Sequence, residues 1–264
     1  MKVGYVQTSP AFGSKEKNFE QVETLLTEIK ADVIVLPELF ATGYTFISKN
    51  ECESLAEGLK GKTAEFLIKM AELTDSVIIG GFAEKNGKNL YNSAMIVSTD
   101  GVFGSYRKLH LYYKEKLWFS PGNKPLKLFE AKGAKIGIMI CFDWIFPETA
   151  RSLSLLGADL IVHPSNLVLP YCQKAMVTRC LENRIFAITA NRIGEEIRGN
   201  DNFKFTGASQ ITSCDGKVLS SAPNDRISVD IVDIDIEKAR DKNLNDFNNL
   251  FMDRRTKFYY FNRK

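Results

Sequence analysis

The sequence has two histidines, five cysteines without a CxxC pair, and no apolar run long enough to span a bilayer. Each shortage excludes something. Cysteines that are odd in number and scattered (Cys52, Cys141, Cys172, Cys180, Cys214) indicate neither a disulfide framework nor a zinc site. The longest apolar segment, Ile136 to Phe142, falls far short of the roughly 20 residues of a membrane helix. The first residues, Lys2-Val3-Gly4-Tyr5-Val6-Gln7, turn polar too early for a signal peptide, so a cytoplasmic protein is expected. Charge of one sign is also missing as a patch: 35 basic and 32 acidic residues give +3, spread along the chain. Nucleic acid and membrane are therefore not expected partners. No glycine-rich phosphate loop, nucleotide fingerprint or metal-ligand cluster is present, so neither cofactor nor metal is expected.

What is present is an α/β pattern. The 264 residues are 44% hydrophobic, enough for a sizeable core, and no linker divides them, so residues 1–264 read as one domain. Short apolar runs recur at Val33 to Leu36, Val77 to Ile79, Ile136 to Ile140, Leu160 to Val162 and Ile185 to Thr189, the pattern of strands buried on both faces. Between them Phe19, Val22, Leu25, Leu26 and Ile29 fall on one helical face, as do Phe66, Leu67, Met70 and Leu73. A third helix is framed by Pro147 and Gly157. Ala94 to Lys108 and Ser209 to Leu219 read as hairpins turning at Asp100-Gly101 and Asp215-Gly216. The halves echo each other, Asp32-Val33-Ile34-Val35-Leu36-Pro37 against Asp159-Leu160-Ile161-Val162-His163-Pro164. Two such halves would bury their sheets face to face with helices outside.

Reactive side chains at strand ends carry most of the information, because open α/β sheets place sites at the carboxyl ends of their strands. Glu38 and Cys141 stand there, and Lys108 ends the first hairpin. Singly each is ordinary: a free cysteine behaves as a small buried hydrophobe, and a lone Glu or Lys is more often a solvated or paired charge. Spacing alone does not decide between these readings.

Three segments together change the reading. Val33-Ile34-Val35-Leu36-Pro37-Glu38, Tyr106-Arg107-Lys108-Leu109-His110-Leu111 and Gly137-Ile138-Met139-Ile140-Cys141-Phe142-Asp143 resemble the signature segments of the nitrilase superfamily of carbon–nitrogen hydrolases, in the same order. Phe119-Ser120-Pro121-Gly122, His163-Pro164-Ser165-Asn166, Leu181-Glu182-Asn183-Arg184 and Asp253-Arg254-Arg255 extend the resemblance nearly end to end, closest to compact archaeal-type nitrilases. It implies a four-layer αββα sandwich. It also implies Glu38 as general base, Lys108 as electrostatic stabiliser, Cys141 as nucleophile, and Glu115 as a second carboxylate orienting Lys108. Glu115 read otherwise is a structural ion pair.

The two histidines resemble structural positions of the family, and Asp143 reads as a pin for the nucleophile loop. Tyr44, Tyr113, Phe119, Phe142, Trp144, Asn166 and Tyr171 adjoin the signature segments and either wall a small pocket or belong to the core. Cys180 reads as core, as does Cys172, which follows a pocket-side loop. The expected activity is hydrolysis of a small aliphatic amide or nitrile through a Cys141 thioester. N-carbamoyl hydrolysis is an alternative, and a catalytically silent binding scaffold is one of a different class. The resemblance further implies a homodimer or higher symmetric oligomer. The aromatic tail from about residue 243 (Phe247, Phe251, Phe258, Tyr259, Tyr260, Phe261) is expected at its interface.

Overall fold

The computed structural model describes residues 1–260. The first half runs β1 (Lys2–Gln7), α1 (Lys15–Leu26), β2 (Val33–Val35), α2 (Lys49–Leu55), α3 (Lys62–Thr74), β3 (Val77–Asn86), β4 (Asn89–Ser98), β5 (Gly101–Arg107) and α4 (Glu115–Trp118). The second runs β6 (Leu128–Ala131), β7 (Ala134–Ile138), α5 (Pro147–Leu155), β8 (Leu160–Pro164), α6 (Cys172–Asn183) and β9 (Phe186–Ala190). A hairpin of β10 (Glu195–Arg198) and β11 (Asp201–Lys204) follows, then β12 (Gln210–Thr212), β13 (Val218–Ser221), β14 (Ser228–Asp233) and α7 (Glu237–Arg240).

Two six-stranded sheets form, in the orders β14-β1-β2-β3-β4-β5 and β13-β12-β9-β8-β7-β6. The echo between the halves is thus structural: β2 pairs in parallel with β1 and β3, and β8 in parallel with β7 and β9. Strand alternation divides the side chains between layers. Val33 and Val35 enter a core shared with Ile136, Ile138, Leu160 and Val162 of the other sheet, whereas Ile34 faces Leu67 and Met70 of α3. On the outer face of the second sheet, Leu153 of α5 and Met176 and Cys180 of α6 close the fourth layer. The architecture is the expected αββα sandwich.

Local chemistry explains the boundaries. Both Asp-Gly pairs stand at hairpin turns, with Gly101 and Gly216 at positive φ, where a missing Cβ removes the steric cost. The first hairpin starts earlier than its apolar pattern predicts, because β4 includes the polar residues Asn92 and Ser93, both buried. Ile29 belongs to the turn after α1 rather than to the helix. The runs ending at Leu36 and Ile140 continue extended past their last ladder residues, and Met139 still donates to the Val162 carbonyl at 3.0 Å. Cys172 and Cys180 are both fully buried in α6. Among the described residues no helix is long and apolar enough to cross a membrane.

Candidate active site

Each of three loops leaves the end of a strand. After β2, Leu36 N still donates to Ile79 O at 2.8 Å, and Pro37, lacking an N–H, ends the ladder. Glu38 then passes so close to β3 that a Cβ on Gly81 would lie 2.5 Å from the Glu38 Cα, so only glycine admits this path. Lys108 follows β5, its N–H bonded to Asn92 O at 2.8 Å. Cys141 follows β7 and heads the 3-10 turn Cys141–Ile145 with φ +40°.

A left-handed non-glycine residue costs about 1 to 2 kcal/mol, so the turn must be held from outside. Asp143 does much of this. Its carboxylate accepts from Ile140 N (2.9 Å), Tyr106 Oη (2.8 Å) and His110 N (3.2 Å), and meets His110 Nδ1 at 2.7 Å. His163 Nε2 lies 2.8 Å from the Cys141 carbonyl oxygen. Because a carbonyl only accepts, Nε2 carries the hydrogen and Nδ1 accepts from the Thr189 hydroxyl at 3.1 Å. Burial pushes the His163 imidazole down to about 4, so it is neutral around pH 7 and supports the Cys141 backbone without a charge.

Folding brings Glu38, Lys108, Glu115 and Cys141 together, 0, 1, 4 and 6% exposed respectively. Lys108 Nζ donates to Glu38 Oε1 and to Glu115 Oε1, both at 2.7 Å. Asn92 Nδ2 donates to the same Glu38 oxygen at 2.7 Å, while Glu38 Oε2 is buried with no hydrogen-bond partner. Glu115 accepts from Tyr44 Oη at 2.8 Å and from Tyr112 N at 3.1 Å.

The electrostatics follow from burial opposed by neighbours. Burial alone would push the Lys108 ammonium down, but Glu115, Glu38 and Cys141 outweigh it and raise it, so Lys108 stays charged. Burial raises the Glu115 carboxyl to about 7, with Lys108 pulling it back and Glu38 pushing it further up. The Cys141 thiol is raised well above its ordinary value by burial first and by Glu38 second, with Lys108 and the Asn166 N–H opposing. It therefore rests as a thiol and needs a base to react. The unpartnered Glu38 Oε2 is an acceptor suited to that proton. Burial and the two carboxylates likewise hold Tyr44 as a phenol, able to donate.

A narrow hollow of about 230 Å³, solvent at its mouth included, opens at Cys141. Tyr112, Phe142, Trp144, Asn166 and residues 167–169 line it. Asn166 is 2% exposed, and neither its Oδ1 nor its Nδ2 has a partner. The other candidates lie elsewhere. Tyr44 donates to Glu115 and faces a second hollow. Tyr113, exposed at φ +47°, lines a separate hollow with Glu115, Asp201 and Phe203. Phe119 packs edge-on against Phe46 at 5.8 Å in an apolar cluster with Leu90 and Leu111. Tyr171 is exposed at the head of α6. Sequence reasoning missed Asn92, whose signal was a polar pair inside an apolar strand, and Tyr112, which adjoins the residue chosen instead.

Residues 2–243 match the family model of the carbon–nitrogen hydrolases, and the chain belongs to that family. It is similar over its length to a nitrilase of Pyrococcus abyssi (strain GE5 / Orsay), 45% identical over 264 residues covering 98% of this chain and 99% of that protein. An (R)-stereoselective amidase of a Pseudomonas species is 30% identical over 91% of this chain and 87% of its own length. The crystal structure of a carbon–nitrogen hydrolase from Helicobacter pylori G27 matches with a TM-score of 0.86 at 25% identity, covering 98% of this chain and 97% of that one. These relatives make the chain a nitrilase-superfamily hydrolase of the nitrilase and amidase type.

Proposed function

We propose that this hydrolase converts a small, uncharged, aliphatic amide or nitrile to a carboxylic acid, releasing ammonia or an amine through a thioester on Cys141. The observation that carries the reading is the buried Cys141 thiol in a cluster where Glu38 keeps one oxygen without a partner while Lys108 holds the other. On an amide, the sulfur bonds the carbonyl carbon as Glu38 Oε2 takes the thiol proton. Glu38 returns that proton to the nitrogen, and the C–N bond breaks. Water then attacks the thioester, giving Glu38 a proton that returns to the departing sulfur. On a nitrile, sulfur adds to the carbon to give a thioimidate. Water replaces its nitrogen as ammonia, and the thioester hydrolyses as before.

Negative charge on the substrate oxygen or nitrogen is met by the Lys108 ammonium and by the backbone N–H of Phe142 near the head of the 3-10 turn, each donor worth about 3 to 4 kcal/mol in the transition state. The restriction to small uncharged substrates is supported by the hollow. It is narrow, and no charged side chain lines it. Substrates ending in an ammonium or a carboxylate would leave that charge unpaired there.

The test is a panel of small amides, aliphatic nitriles and N-carbamoyl compounds with ammonia detection, combined with intact-mass capture of an acyl adduct on Cys141. Ammonia and the adduct from uncharged short substrates are expected. Turnover confined to carbamoyl compounds, or an adduct on another cysteine, would overturn the proposal. For assembly the reading is a symmetric homodimer or larger, supported by Phe247 and Phe258 of the tail, 92% and 64% exposed in the single chain. Phe261 lies outside the described residues. A monomer by light scattering at micromolar concentration would remove that reading.

A further inference from the structure

The hairpin β10–β11 belongs to neither large sheet, and an isolated two-stranded hairpin is at best marginally stable. Yet it carries a buried charge. Glu196, 6% exposed, is paired with Arg192, 1% exposed and among the largest fully buried side chains of the protein. A buried ion pair returns little net stability over apolar residues of the same volume, so its bonding partners are the informative feature. Arg192 Nε donates to Ile193 O at 3.2 Å and Nη2 to Pro10 O at 3.0 Å, and the guanidinium stacks 4.0 Å from the Phe205 ring centroid. Glu196 accepts from the backbone of the loop after Glu38: from Thr45 N at 2.7 Å and from Tyr44 N at 3.2 Å to one oxygen and 3.3 Å to the other. Gly43, at φ +79°, makes this approach possible, because a Cβ there would sit 2.9 Å from Glu196 Oε1 and 2.9 Å from the Phe12 Cα.

The rest of the hairpin grips the same region. Arg198, two residues on and on the same face, donates to Thr45 O at 2.8 Å, pairs with Glu51 at 2.7 Å and stacks on Phe12 at 3.5 Å. On the other strand, Asp201 holds Lys114, the residue before Glu115, at 2.7 Å, and Phe203 lies edge-on to Tyr44 at 5.8 Å and to Tyr113 at 6.3 Å. Both loops gripped by the hairpin meet at one bond, Tyr44 Oη to Glu115 Oε1, the carboxylate oxygen that also receives Lys108.

We propose that Arg192 and Glu196 are positioning residues for the reaction: Glu196 fixes the backbone of Tyr44 and Thr45 so that the Tyr44 hydroxyl holds Glu115, and through it Lys108, in register with Cys141. The proposal rests on the catalytic reading of Glu115 and Lys108 given above. It makes the hairpin part of the catalytic frame, since it ties second-half residues to the loop following Glu38.

A double-mutant cycle on the full chain tests it, with Glu196→Gln, Tyr44→Phe and both together, reading kcat, KM, melting temperature and the rate of Cys141 alkylation by iodoacetamide. Glu196→Gln is expected to lower kcat about tenfold with KM moving less than about threefold, and in the Tyr44→Phe background to cost less than about twofold more. Alkylation should slow in each single variant and no further in the double. Additive losses, or a fall in melting temperature with kcat per folded molecule retained, would overturn the proposal. If Glu196→Gln does not fold because Arg192 is left unpaired, Arg192→Met with Glu196→Leu keeps the volume without the charges. It is expected to fold and show the same loss of kcat, and wild-type kcat in that variant would equally overturn the proposal. Alkylation coupling in a protein that hydrolyses nothing in the panel would leave the clamp standing and remove the proposed activity, whereas turnover with additive losses would do the reverse.

Discussion

Arg107 and Lys108 are neighbours at the end of β5, both buried and both paired with carboxylates, yet their clusters differ in kind. Arg107 Nε meets both oxygens of Glu84 at 3.1 Å, Ser93 Oγ adds a bond to that carboxylate at 2.6 Å, Asn123 takes an Nη1 hydrogen at 3.0 Å, and Tyr91 supplies a ring face at 3.9 Å. Neither oxygen of Glu84 lacks a partner. Across the strand, Lys108 holds one oxygen of Glu38 and one of Glu115, and Glu38 keeps its other oxygen buried and unpartnered. Leaving a buried carboxylate oxygen unsatisfied costs on the order of 1 to 3 kcal/mol, a cost that Glu38 bears and Glu84 does not. The contrast supports the reaction proposed for the Lys108 cluster, whose open Glu38 oxygen can take a proton.

The largest effect is expected at Cys141. Cys141→Ala removes the only group in the reactive cluster able to bond substrate carbon, and turnover should disappear while circular dichroism and melting temperature stay close to wild type. More than a few per cent residual turnover in contaminant-free protein would dissolve the contrast between the clusters. Glu38→Gln is next in size. Its neutral amide can still accept from Lys108 but cannot take the thiol proton, so kcat should fall about 10²- to 10⁴-fold, the usual range for a general base. Cys141→Ala should leave melting behaviour nearly unchanged, and Glu38→Gln should lower it less than damage to the Arg107 cluster does, because Lys108 keeps the Glu115 carboxylate.

Glu115 stands between the two cases, because it touches Lys108 but has both oxygens occupied, and Glu115→Gln tests which it resembles. Here kcat and kcat/KM should fall together by at least about tenfold, or roughly 1.4 kcal/mol, as for an interaction made chiefly in the transition state. With the Glu115 carboxyl raised to about 7 by burial, the wild-type pH–rate profile should show an acidic limb near pH 7 that the variant lacks. The stability sign is opposite to that of a paired carboxylate. A folded-state value above the unfolded one gives stability fully present below the unfolded value and lost as pH rises through about 7. Glu115→Gln should therefore flatten the fall in melting temperature between about pH 5 and pH 8. An unchanged profile of both kinds would class Glu115 with Glu84.

Much of this frame was legible in sequence, for identifiable reasons. The strands showed as apolar runs because they are buried on both faces, and the hairpins showed because Asp-Gly marks their turns. Glu38, Lys108 and Cys141 stood out as strand-end residues and by their motifs, and folding brings them together. Asn92, Arg192 and Glu196 were not, because what defines them is a partner: Asn92 reaches Glu38 from 54 residues away, and Glu196 reaches Tyr44 from 152. No local period records such contacts. Phe119 was placed beside the site by its motif, but the backbone turn at α4 directs it to Phe46 instead.

The smallest effect on catalysis is expected from the satisfied cluster itself. Glu84→Gln keeps the shape of the side chain but leaves the Arg107 guanidinium buried against a neutral group, with the Ser93 hydroxyl losing a charged acceptor. Breaking a buried pair from one side costs about 3 to 5 kcal/mol. Arg107 keeps Asn123 and the Tyr91 ring, which places the expectation at the lower end, about 3 kcal/mol. For a chain of this length that corresponds to a fall in melting temperature on the order of 5 to 10 °C. Below that transition, kcat per folded molecule should stay within about twofold of wild type, because Lys108 leaves the strand on the opposite side and none of its partners touches Glu84. Denaturation followed by circular dichroism, alongside active-site titration with iodoacetamide, separates the two quantities. A drop in kcat of tenfold or more at full folding would show that the two clusters act as one network, and that an unpartnered oxygen is not what distinguishes the reactive one.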